Sequence, residues 1–169
     1  MGTFIKFIAA LALLLLLAGA VAYGYVRTHD GPLGATPGGP FRSGQPTPSP
    51  DDWSFLQGRE LMEFQTFSPS TSREVWLAVY QGRLFVMSAG MNEDRGLRNK
   101  RWPYYIQDDD RVILRIDNNL YEQRLQRIQD GPDVIPVLDV FGRKYRGQPV
   151  TEATEVDNGN SWLFEVLPR

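Results

Sequence analysis

The chain has no cysteine and a single histidine in 169 residues. The missing thiols exclude disulfides, thiolate metal sites, a cysteine nucleophile and a lipid-modified N-terminal cysteine. The one histidine, His29, stands ahead of the part that can fold. A Ser-His-Asp or Cys-His device, or a histidine metal site, is therefore excluded from the domain. Charge of one sign is also missing. Residues 53–169 carry fifteen Lys and Arg against seventeen Asp and Glu. That balance gives no footprint for nucleic acid, which is not expected as a partner. No internal repeat is present.

What the chain does have is a long apolar run. The twenty residues Phe7–Val26, between Lys6 and Arg27, carry no charge. A helix of that length spans about 30 Å, the thickness of a bilayer hydrocarbon core. Tyr23 and Tyr25 sit at its far end, where amphipathic rings favour the interface. Residues 1–29 thus read as a membrane anchor, or as a signal segment cut after Ala20-Val21-Ala22. Lys6 ahead of the span leaves the N-terminus inside and the domain on the exported, periplasmic or extracellular side, or secreted if the segment is cut. Residues 30–52 follow, with five glycines and six prolines and only Leu33 and Phe41 to bury. The expectation is a disordered linker that holds the domain off the membrane.

Residues 53–169 read as one domain. Arg73–Tyr80 alternates, with Val75, Leu77 and Val79 on one face and Trp76, Ala78 and Tyr80 on the other. Gln81-Gly82 suits a two-residue hairpin into Leu84–Ser88. Glu60–Phe67, Arg111–Ile116, Leu120–Ile128 and Ser161–Leu167 complete about six strands, with Ser68–Ser72 and Asn118-Asn119 as turns. Two helices interrupt them. Trp102–Gln107 has Pro103 in its first turn. Asp133–Tyr145 has Val134, Val137, Leu138, Phe141 and Tyr145 at helical spacing, with Gly147 to end it. The fold class is α+β: an antiparallel sheet that closes on itself, with two helices.

The chemistry-bearing stretch is Asn92–Gln107. Arg95, Arg98, Lys100 and Arg101 precede the helix that Pro103 opens. Unpaired N–H groups at a helix start carry about half a positive charge, so added cations make an anion site there. Trp102 could shield that site or stack on a planar ring. A solvated loop, with its charges paired to Glu93, Asp94 and Asp108–Asp110, is the plainer alternative. Ser88-Ala89-Gly90 ends a strand with small residues that let a ligand approach the backbone, or simply turns the chain. Arg73 begins a strand after a Ser/Thr turn and reaches a phosphate or merely solvates the strand end. Trp76 is the second aromatic candidate to line such a groove. The carboxylates Asp108-Asp109-Asp110 are adjacent and cannot all face one ion, so no metal is expected.

The order of these elements resembles the split β-barrel flavin-binding superfamily. That superfamily includes pyridoxamine-phosphate-oxidase-like proteins and the deazaflavin-dependent nitroreductase-like branch. Carrying the resemblance are Arg73, the Gly82 hairpin, Ser88-Ala89-Gly90, Lys100-Arg101-Trp102-Pro103 and Asp109-Asp110-Arg111-Val112. The last is similar to the family's Asp-Pro-Arg-Val step from helix to strand. The resemblance covers about residues 60–169. It implies a six-stranded split barrel, often a homodimer, with FMN or a deazaflavin in a groove. Arg73, Trp76, Ser88, Ala89, Gly90, Lys100, Arg101 and Trp102 are the implied cofactor-binding positions. The function expected is that of a membrane-tethered oxidoreductase-like protein acting on a small organic or quinone-like molecule. No catalytic residue is assigned, and with no histidine in the domain a proton donor would be Tyr104, Tyr105 or water. The alternative is a non-catalytic module that keeps the barrel to bind a ligand or a protein.

Overall fold

The computed structural model describes residues 2–93 and 101–169. In chain order the elements are α1 (Gly2–Thr28), β1 (Gln45–Pro46), β2 (Leu61–Phe67), β3 (Ser70–Tyr80), β4 (Arg83–Ala89), α2 (Trp102–Asp108), β5 (Arg111–Ile116), β6 (Asn119–Ile128), α3 (Val134–Arg146), α4 (Thr154–Asp157) and β7 (Ser161–Pro168). A single 3-10 turn, Ser54–Leu56, precedes β2.

Six strands close into a ring in the order β2-β3-β4-β7-β6-β5, and every pairing in it is antiparallel. Two tight turns set the register. Gln81 and Gly82 have φ of 51° and 76°, and Asp117 and Asn118 have 49° and 67°. Both pairs are two-residue connections with positive φ, whose twist matches that of the strands. The second turn falls one residue earlier than the expected Asn118-Asn119.

Alternation then decides what the ring encloses. Phe64, Leu77, Val86, Leu114, Leu125 and Phe164 point inward, at least one from each strand. Trp53 and Leu56 close one end of the barrel, where the Trp53 N–H bonds to Gly82 O at 2.8 Å. At the other end Trp102 and Ile106 of α2 form the plug. The outer face of β3, β4 and β7 is covered by α3, whose Val137, Leu138 and Phe141 bury Ala78, Phe85 and Leu163. Tyr145 seals the point where β2 begins. Its hydroxyl accepts from Leu77 N–H at 3.0 Å and lies 2.5 Å from Glu60 O.

Helix α1 is long and apolar enough to cross a membrane, with a mean hydropathy of 2.6 in its best window and none of that window buried. The Gly- and Pro-rich segment after it departs from expectation. Residues 30–52 are not a disordered spacer but a strap along the barrel. β1 runs parallel to the first residues of β6, on the edge that β7 does not reach. Asp30 pairs with Arg115 at 2.9 Å, and Gly38 forms a bridge with Ser72. A strap with few apolar side chains can be ordered because the barrel supplies the partners for its backbone.

Candidate functional site

The β3–β4 ladder runs from Tyr80 opposite Arg83 to Leu77 opposite Val86 and stops. From there β3 continues from Trp76 back to Ser70 paired with β2, while Met87–Ala89 of β4 pair with β7. The two strands part, and the ring opens between them. The fold is a split β-barrel.

A groove of about 880 Å³ occupies the split. Arg73, Val75 and Trp76 line one wall and Met87, Ser88 and Ala89 the other. Arg101, Trp102 and Tyr105 come from the start of α2, and Arg146 from the end of α3. The volume falls within the range of small-molecule sites, about 300–1,000 Å³.

The electrostatics of this groove are unusual. Arg73 and Ser88 continue the inward-facing rows of Val75 and Val86 into the split. The Arg73 Nε and the Ser88 Oγ are buried without a hydrogen-bond partner among the described residues. Burial pulls the Arg73 guanidinium down to about 10, with Tyr105 acting weakly the other way. A desolvated, unpaired cation is costly unless an anion joins it. A second basin of about 450 Å³, lined by Asp30, Glu63, Glu74, Arg115 and Asp117, carries charge of both signs. There Arg115 is already satisfied by Asp30 and Glu63.

Six of the eight candidate positions, Arg73, Trp76, Ser88, Ala89, Arg101 and Trp102, line the one groove. Lys100 lies outside the described residues, as do Arg95, Arg98 and Asn99. Gly90 is not part of the lining; its φ of 72° and its neighbour Glu93 make it a turn residue. Trp102, expected to shield the site or stack on a ring, is only 4% exposed and packs between Phe64 and Phe164, with centroids 5.0 and 5.2 Å away. It is a core residue because α2 plugs the barrel with its apolar side. With only seven residues, α2 also leaves little dipole to bind an anion on its own. Trp76 is instead the exposed aromatic, 43% accessible and stacked on Tyr145 at 4.9 Å. Sequence reasoning missed Arg146 as a wall of the groove, and named Tyr105 only as a proton donor. The basic last turn of α3 and the aromatic three residues after Trp102 were the available signals. Among the described residues no cluster of three or more His, Asp or Glu could hold a metal.

Neither a family model nor a curated relative matches the sequence. Solved structures of similar fold include a conserved hypothetical protein of Mycobacterium tuberculosis, at 15% identity over 68% of this chain and 76% of that one, with a TM-score of 0.46. The heme storage protein HutZ of Vibrio cholerae is 12% identical over 68% and 85%, at 0.42. A FAD-binding protein of Mesorhizobium loti is 10% identical over 68% and 84%, also at 0.42. Likeness at this level concerns the fold alone.

Proposed function

We propose that the split holds a flavin or deazaflavin nucleotide, FMN being the simplest, in a membrane-tethered oxidoreductase-like protein anchored by α1. The observation that carries this reading is the pair of orphaned polar atoms, Arg73 Nε and Ser88 Oγ, lining one groove. A phosphate group in the groove supplies what each lacks, a negative charge for the guanidinium and an acceptor for the hydroxyl. Arg101 and Arg146, exposed at the rim, add positive potential that draws an anion in. Trp76 and Tyr105 offer aromatic faces beside a planar ring. Such a ring, when bound, supplies hydride transfer, and the protein's share is to bind it, orient it and exclude water. Tyr105 is the groove's candidate to hold a proton, since the chain's one histidine is not among the lining residues.

The test is titration of the purified full chain in mild detergent with FMN and with a deazaflavin, read by quenching of the ring's fluorescence. The expected result is saturable binding below about 10 μM, in the range of ordinary cofactor affinities. Saturation by neither compound at that level overturns the cofactor reading and leaves a barrel that binds something else.

A further inference from the structure

The groove is walled by the segment that leaves the apolar helix. Arg27, in the last turn of α1, and Ala35, Thr36 and Pro37 of the strap belong to its lining. The attachment is close. Gly38 N donates to Ser72 O at 2.9 Å and Ser72 N to Gly38 O at 3.2 Å, while Thr71 Oγ1 donates to Gly38 O at 2.9 Å. Neither glycine leaves room for a side chain. A Cβ on Gly38 would lie 1.8 Å from Gly31 O, and one on Gly39 would lie 2.6 Å from both Arg27 O and His29 O. The end of α1 is thus packed, through two glycines, onto β3 at residues 71–72, immediately before Arg73. With α1 read as a bilayer span, this attachment sets the groove beside the bilayer surface.

A second, smaller cavity extends the groove. An apolar annex of about 90 Å³ adjoins the groove and shares Trp76, Met87 and Arg146 with it. It continues between Leu138, Phe141 and Val150. Hydrocarbon suits the inner part of this annex, where Met87, Leu138, Phe141 and Val150 offer no partners for water, while Glu152 and Glu155, both exposed, and Ser161 complete its lining. Exposed Arg27 and Arg146 stand at the mouth, where a cation at the membrane surface attracts an anionic head.

We propose that the groove receives a second ligand from the bilayer: a membrane-dissolved amphiphile whose anionic head meets Arg27 and Arg146 and whose hydrocarbon enters the annex beside Trp76. This rests on reading the groove as a ligand site and α1 as a bilayer span.

The experiment places the full chain in phosphatidylcholine vesicles and adds 9,10-dibromostearate, whose bromines quench tryptophan on contact. Saturable quenching is expected. It disappears in Trp76→Phe and needs at least tenfold more probe in Val150→Phe, which narrows the annex without touching the groove. Dibrominated phosphatidylcholine at equal bromine content controls for collision with the bilayer. Equal quenching by both probes, no saturation, or full quenching in Trp76→Phe overturns the proposal. FMN is titrated into the same vesicles. Its binding without dibromostearate binding sinks the amphiphile alone; the reverse pattern sinks the cofactor reading alone.

Discussion

Two arginines on neighbouring faces of the barrel meet opposite surroundings. Arg115 on β5 donates from Nη1 to Asp30 at 2.9 Å and from Nε to Glu63, and it lies 4.3 Å over the Phe41 ring. Burial works against its charge, yet Glu63 and Asp30 outweigh that and raise its pKa. Arg73 on β3 is desolvated as well and has no such carboxylate among the described residues, so its pKa falls. The difference separates a cation that holds the fold together from one that awaits a partner. Below about 10, Arg73 is charged in the folded and unfolded chain alike, so its desolvation cost is present in full at neutral pH and fades only as pH rises above about 10 toward the ordinary arginine range. A bound anion removes the same cost at pH 7.

The sharpest way to break this contrast is to give each arginine the same neutral replacement. Arg115→Met leaves Asp30 and Glu63 without their shared cation. Removing one partner of a buried pair costs about 3–5 kcal/mol, and the part-exposed carboxylates here reduce that to roughly 2–3 kcal/mol. Thermal unfolding should show the loss as a Tm lower by roughly 5–10 °C. A variant as stable as the parent would make Arg115 no more structural than Arg73. The opposite outcome is expected of Arg73→Met. Without ligand its Tm should hold or rise, because an unpaired buried charge is gone. FMN affinity should fall at least tenfold, since a charge-assisted hydrogen bond contributes about 1.5–3 kcal/mol. Should Arg73→Met unfold as readily as Arg115→Met, Arg73 is a structural residue and the groove loses its anion site.

The barrel could be read from the chain because its rules are local. Val75, Leu77 and Val79 alternate with Trp76, Ala78 and Tyr80, and those two rows became the interior and the face under α3. Gln81-Gly82 fixed a hairpin within two residues. The strap could not be read that way. Its glycines and prolines signal chain-breaking in isolation, whereas Gly38 and Gly39 are small because Gly31 O, Arg27 O and His29 O crowd them. Asp30 and Arg115 are 85 residues apart, and no short-range pattern joins them. Ser70–Ser72, polar enough to pass for a turn, extend β3 because the strap and β2 satisfy both of their edges. Arg73 and Ser88 were visible as residue types at strand ends. Their shared groove depends on where the β3–β4 ladder stops, which only the three-dimensional register shows.

The smallest effect bears on the strap end of the comparison. Burial alone would push the Asp30 carboxyl up, but Ser43 Oγ, the Arg42 N–H and Arg115 together hold it at about 2, against an ordinary 3.8. A carboxylate depressed on folding stabilises the native state fully above its unfolded pKa, and that contribution is lost as pH falls from about 3.8 through about 2. Partial exposure of Asp30 limits the effect to about 1 kcal/mol. Asp30→Asn removes the titration and keeps the side chain's shape. In urea unfolding at neutral pH the parent should therefore exceed Asp30→Asn by about that amount. As pH drops from 4 to 2 the gap should narrow toward zero, because the parent's own carboxyl becomes neutral. A gap that stays constant through this window would mean that the strap is held by its backbone bonds to Ser72 and β6, with the ion pair to Arg115 incidental. The clasp on Arg115 would then be no better evidence of a structural role than the unpartnered Arg73 Nε is of a binding one.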